Sequence, residues 1–178
     1  MVAKTAASKK EKGSRLERPI AGYYRKYLGF SKSSRMPLSG AISTLQGDIL
    51  KMDDRGRRVD LEYVDECKNA ETIKLTKWLQ QTISQAPNTK IPVLHMSSNY
   101  RPLITIVEEA IWADWYNLNK WTITECNKKS ISFWKEWDIV REDAASVMRE
   151  PVLLFWKLGR QWAAINTETY FKMRKETT

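Results

Sequence analysis

Histidine is almost missing from this chain: His95 is the single one. That excludes a multi-histidine metal site and leaves histidine-centred catalysis little to build on. Because it follows the apolar run Ile91-Pro92-Val93-Leu94, His95 reads as a structural residue at a strand end. Cysteine is nearly as scarce, with Cys67 and Cys126 alone. Two are too few for a disulfide framework and neither belongs to a CxxC pair, so both read as reduced, buried thiols of an intracellular protein. No apolar run reaches the length of about 18 residues that a membrane span needs. Residues 1–13 are polar and lysine-rich where a signal peptide would be apolar. Recognition-helix and zinc-finger patterns are absent too, which argues against reading a base sequence. Acid is in short supply: 21 Asp and Glu face 30 Lys and Arg, a formal charge of +9. Such a balance favours a polyanionic partner by attraction and counterion release; a basic soluble protein with no nucleic-acid role would share it.

The 178 residues suit one compact domain, alone or with an appendage. Residues 1–13 predict a disordered basic arm. From Ser14, the apolar residues Leu16, Ile20, Tyr23, Tyr24, Tyr27 and Leu28 recur at helical spacing, with a start or kink expected at Pro19 and a stop at Gly29. Residues 42–50 lead into a strand that carries Asp48. Asp53-Asp54-Arg55-Gly56 predicts a hairpin turn, and the return strand runs from Val59 to Cys67 with Glu66 and Lys68 at its end. Residues 71–86 have the pattern of an amphipathic helix, and Ile91–Met96 and Leu103–Val107 that of two strands. The order makes a mixed α/β domain of residues 14–110.

Residues 111–178 form a tryptophan-rich C-terminal extension. Seven of the eight tryptophans lie there, and they read as core or interface fillers, or as base-stacking groups where Lys157 and Arg160 flank Trp156 and Trp162. Residues 60–110 can be laid on 119–169 at a constant offset of 59, which matches Glu66-Cys67 to Glu125-Cys126, Trp78 to Trp137 and Pro92-Val93-Leu94 to Pro151-Val152-Leu153. The extension is therefore expected to be a degenerate α/β copy that has lost the lysine, since Lys68 falls on Asn127. Shared strand–helix–strand geometry would produce the same patterning without duplication.

The chemistry sits in Glu66-Cys67-Lys68. On a strand, residues two apart share a face, so Glu66 and Lys68 project together while Cys67 points behind. With Asp48 across a bend, they make the carboxylate–carboxylate–ammonium set of a metal-assisted phosphodiester-cleaving site. Alone, the D…ExK spacing is equally that of an ordinary edge-strand ion pair. Arg55, Arg57 and Arg58 on the turn, with Lys32 and Arg35 near the Ser39 loop, are candidate phosphate contacts or simply solvated charge.

Five segments in order resemble the PD-(D/E)xK nuclease superfamily, specifically its small archaeal and phage Holliday-junction-resolvase-like members, over residues 13–107. Gly13-Ser14-Arg15-Leu16-Glu17-Arg18 looks like the first-helix motif; Leu38-Ser39-Gly40-Ala41 resembles the serine-bearing loop. Gly47-Asp48 stands at the family's Asp, Glu66-Cys67-Lys68 at its ExK, and Trp78-Leu79-Gln80-Gln81 resembles the helix that follows. Pro19 and the tryptophan-rich half lie outside the pattern. The resemblance implies a restriction-endonuclease-like mixed sheet flanked by helices. It further implies a Mg²⁺-dependent endonuclease, with Mn²⁺ able to substitute, acting on branched DNA as a homodimer, with no membrane or small-molecule substrate. Asp48, Glu66 and Glu17 are the implied metal ligands, and Lys68 and Ser39 complete the catalytic set. The rival expectation is a non-catalytic DNA-binding or assembly module on the same fold.

Overall fold

The structure, a computed structural model, describes residues 6–37, 46–98, 100–113, 121–127 and 131–177, with side chains of the first helix from Leu16 onward. The chain opens with α1 (Ala6–Leu28), β1 (Ser34–Arg35) and β2 (Ile49–Leu50). There follow β3 (Tyr63–Asn69), α2 (Leu75–Gln85), β4 (Ile91–Ser97), β5 (Ile104–Glu108) and the short α3 (Glu109–Ala113). A second series has β6 (Trp121–Cys126), α4 (Phe133–Ser146), β7 (Glu150–Lys157), β8 (Arg160–Asn166) and α5 (Thr167–Thr177). Strands β3 to β8 form one mixed sheet in the order β3-β4-β5-β8-β7-β6, and β1 and β2 a separate antiparallel ribbon.

Alternation along the strands buries both faces of the sheet. Val93, Val107, Val152 and Ile165 turn to one face, where Leu16, Ile20 and Tyr24 of α1 meet Tyr170 and Phe171 of α5. Leu94, Met96, Ile104, Leu153 and Phe155 turn to the other, under Trp78 and Leu79 of α2 and Phe133 and Trp137 of α4. Of the described tryptophans of residues 111–178, Trp112, Trp121, Trp137 and Trp162 are buried core, which favours the filling role over base stacking for those four.

Two expectations are corrected. Helix α1 begins at Ala6, so residues 6–13 are helical where an arm was expected; Ala, Lys and Glu are strong helix formers that need no core to propagate a turn. The helix also runs through Pro19, which is exposed, so water can serve the carbonyl that lacks its donor. The second correction concerns the strands flanking the hairpin, whose expected turn at Asp53-Asp54-Arg55-Gly56 is present. Strand β2 pairs with β1, not with the return strand, and β3 pairs in parallel with β4. Across the turn the Met52–Arg58 bridge is flanked by backbone bonds from the Asp53 amide to the Arg57 carbonyl (3.0 Å) and from the Val59 amide to the Lys51 carbonyl (3.1 Å), with Asp53 Oδ1 accepting from the Arg57 amide at 2.8 Å. Residues 51–62 carry too many charges to cover a sheet face, and Asp60, at φ 54°, breaks the extended run before β3.

That break turns charge inward. Asp65 of β3 is buried and accepts hydrogen bonds from Tyr24 of α1 (2.8 Å), Lys51 after β2 (2.9 Å) and His95 Nε2 of β4 (2.9 Å). Lys51 also pairs with Asp60 at 3.3 Å, and Asp60 with Arg174 of α5 at 2.6 Å. His95 Nδ1 bonds Thr105 Oγ1 at 2.9 Å, and Thr105 bonds Thr167 Oγ1 at 2.8 Å. His95 is thus structural, as its sequence context indicates, though it lies in mid-sheet and not at a strand end.

The two series of elements are related by a pseudo-two-fold axis normal to the sheet, between β5 and β8. One row of cross-strand neighbours makes this visible: Glu66, Leu94, Ile106, Ala164, Leu153, Thr124. Read from either edge it follows the same strand sequence. The helices agree, because buried Leu75, Leu79 and Thr82 of α2 match buried Phe133, Trp137 and Val140 of α4. The offset of 59 therefore holds in β4 and β7 but is shifted by one elsewhere. Glu66 corresponds to Thr124 and Lys68 to Cys126, and Glu125 takes the place of Cys67 on the opposite face. Identities at strand ends misled the alignment where burial decides it.

Burial would raise the Asp65 carboxyl, but the Lys51 ammonium and then the His95 hydrogen bond hold it well below the usual carboxylate range. A depressed carboxyl stabilises fully above its unfolded value of 3.8, and the contribution fades as pH falls toward the native one. Asp65→Asn should therefore cost about 3 kcal/mol at neutral pH by urea unfolding. The gap to the wild type should narrow between about pH 4 and pH 2; a gap independent of pH would contradict the assignment.

Candidate active site at the edge of the sheet

Gly47 delivers Asp48 to the exposed edge of β3. Its φ is +80°, and a Cβ there would stand 2.9 Å from the Asp65 carbonyl oxygen, closer than real Cβ contacts allow. The tight approach lets the Asp48 amide donate to the Asp65 carbonyl at 2.7 Å. Asp48 Oδ2 in turn accepts from the Cys67 amide at 2.8 Å, and the Met36 amide donates to the Asp48 carbonyl at 2.8 Å. Asp48 thus completes the unpaired edge of the strand that carries Glu66 and Lys68.

Glu66 and Lys68 lie on the α2 face and are ion-paired to each other. Gln81 of α2 donates to Glu66 Oε1 at 2.9 Å. The other oxygen, Oε2, is buried with no hydrogen-bond partner among the described residues. Burial first, then the charge of Asp48, push the Glu66 carboxyl up to about 7 against the pull of Lys68 and Gln85. Cys67 points behind into the core, where burial and the surrounding carboxylates push its thiol up. It is a packing residue, not a nucleophile.

Glu17 reaches the same edge from α1. It is buried, raised by that burial and by Asp48, and ion-paired with Arg35 of β1. The structure therefore brings Glu17, Asp48, Glu66, Lys68 and Arg35 together. Lys32, Arg55, Arg57 and Arg58 are exposed and lie toward the other end of the β1–β2 ribbon, where the Lys32 amide and the Arg58 backbone both meet Met52. Ser39 falls in residues 38–45, outside the described residues. Gln81 and Gln85 went unassigned in the sequence; helical spacing over residues 71–86 puts them on one face, but nothing in the sequence aims that face at Glu66.

Among the described residues no three histidine, cysteine, aspartate or glutamate side chains cluster tightly enough to hold a metal ion by themselves. Asp48 and Glu66 nonetheless fit a hard divalent cation, which prefers oxygen and keeps several waters, and the orphaned Glu66 Oε2 lacks the partner such an ion supplies. The third carboxylate expected there, Glu17, is engaged by Arg35.

Two outcomes follow from this geometry. Because the fold raises Glu66, its ionisation costs stability as pH climbs from the ordinary 4.5 through about 7. Without divalent ions, Glu66→Gln should stabilise at pH 8 by about 2 kcal/mol and change little at pH 4, read by thermal melts; equal effects at both would contradict the burial assignment. Gly47→Ala should cost about 2 kcal/mol or more in urea unfolding, and a neutral result would mean that the approach to Asp65 is not constrained.

The comparisons agree with this arrangement. No curated protein and no solved structure matches the chain. The family described as "Phage putative PDDEXK endonuclease" matches residues 8–132, which includes Glu17, Asp48, Glu66 and Lys68. The mixed sheet flanked by helices is that of a restriction-endonuclease-like fold. A match over most of its length, with the D…ExK residues on one sheet edge, makes this chain a member of the phage PDDEXK endonuclease family.

Proposed function

We propose that the protein is a divalent-metal-dependent endodeoxyribonuclease that cuts branched DNA, as a Holliday-junction resolvase does, with Mg²⁺ as its ion and a homodimer as its working form. The observation that carries the metal-dependent reading is the buried, partnerless Glu66 Oε2 beside Asp48 and Lys68. Structure selectivity rests on the scarcity of base-reading elements and on the net charge of +9, which favours phosphate contact without sequence readout.

Asp48 and Glu66 would hold the ion, and an ion bound there polarises the scissile phosphate and acidifies a water. Gln81 fixes the rotamer of Glu66 by its hydrogen bond, keeping one carboxylate oxygen directed at the site. Lys68, on the same strand face and only partly exposed, orients the attacking water as an ammonium donor and offsets the charge that grows on the phosphate, the water's proton leaving to solvent. The backbone bonds at Asp48 keep that carboxylate in place without the ion, so little reorganisation is needed when substrate arrives.

Asp48→Ala and Lys68→Ala should each lower Mg²⁺-dependent cleavage of a four-way junction by about 10³-fold or more, with junction binding in Ca²⁺ kept within a few-fold. Comparison with linear duplex and flap substrates tests the branched preference. Junction binding by the wild type with no cleavage of any substrate in Mg²⁺ or Mn²⁺ would instead identify a non-catalytic DNA-binding module.

A further inference from the structure

The contact between Arg35 and Glu17 joins two groups with different tasks. Glu17 is buried at the carboxylate cluster, with a side chain 8% exposed, and Arg35 is 37% exposed. Arg35 therefore spends its guanidinium on a site carboxylate while a large part of it faces solvent. It sits on β1, directly opposite Ile49 and one position from Asp48. A guanidinium exchanges a carboxylate for a phosphate readily, since both offer two oxygens to its planar fork.

We propose that Arg35 is a substrate-operated latch on the metal site: it holds Glu17 until a backbone phosphate takes its place. Resting on the nuclease reading above, the inference adds an order of events to it. Before DNA binds, Arg35 neutralises Glu17, and the ion is left with the carboxylates of Asp48 and Glu66. The arriving phosphate draws the guanidinium away, and Glu17, already beside Asp48, becomes the third. No bond is made or broken in this step; one ion pair is exchanged for another. Metal affinity and DNA affinity are thereby coupled through a single side chain, and each must raise the other.

Titration of Mn²⁺ alone, followed by electron paramagnetic resonance, tests this with Arg35→Ala, Glu17→Gln and the double variant. Removing a nearby cation strengthens Mn²⁺ binding in any case, so the coupling between the two positions is the informative quantity. Arg35→Ala should raise Mn²⁺ affinity about 10-fold in the wild-type background and less than about 2-fold beside Glu17→Gln. Equal increases in both backgrounds would overturn the latch and leave general electrostatics. Duplex binding in Ca²⁺ supplies a second readout: Arg35→Ala should weaken it, and unchanged binding would place Arg35 permanently on Glu17 and also overturn the proposal. A wild type that binds no Mn²⁺ would contradict the metal-site reading itself, a separate failure from that of the latch.

Discussion

The carboxylate of Asp65 is the interaction on which the other elements depend. Three donors from three separate elements meet it in the interior: Tyr24 from α1, Lys51 from the segment after β2, and His95 from β4. A buried charge is stable only when it is paired and its hydrogen-bonding capacity is filled. Each donor's element is therefore fixed relative to β3, the strand that carries Glu66 and Lys68. The backbone of the same residue accepts the Asp48 amide. Asp65 thus sets the distance between the two halves of the D…ExK motif without facing the reacting groups.

The charge network reaches beyond the matched family region. Arg174 of α5 pairs with Asp60 and stacks over Tyr63, 3.8 Å from its ring centre. Thr167 extends the chain of bonds from His95 through Thr105. The C-terminal series is therefore bound into the half that carries Asp48, Glu66 and Lys68 through β5–β8 pairing and this polar thread, although the family match ends at residue 132. The pseudo-two-fold arrangement makes the asymmetry of chemistry plain. At the positions of Glu66 and Lys68 stand Thr124 and Cys126, so those two positions hold no acid–amine pair.

What the sequence made legible follows from what local patterns encode. The ExK strand, α2 and the strands after it were readable because period-2 and period-3.6 patterns are set by the face each element buries. Glu17, Asp48, Glu66 and Lys68, singled out in the sequence as a candidate set, are brought together by the fold. The inward turn of Lys51, Asp60 and Asp65 was not legible. Charged residues in a turn region normally face water, and only the tertiary pairing of Asp60 with Arg174, far along the chain, reverses that. The hairpin's turn was legible, but not the shortness of its ladder, since Lys51 and Asp60 on either side of it turn to the buried network. The offset of 59 differs by one from the structural correspondence of β3 with β6, because identities at Glu125-Cys126 outweighed the burial periodicity that fixes a strand's face.

The central claim is that Asp48 and Glu66 form a divalent-ion site at the edge of β3, with Lys68 beside it. Crystals grown or soaked with Mn²⁺ and measured near its absorption edge test it most directly. The account predicts an anomalous peak beside the Asp48 and Glu66 carboxylates, lost in Asp48→Ala. A fully loaded crystal with no peak there, or with its peak at a different carboxylate cluster, would contradict it.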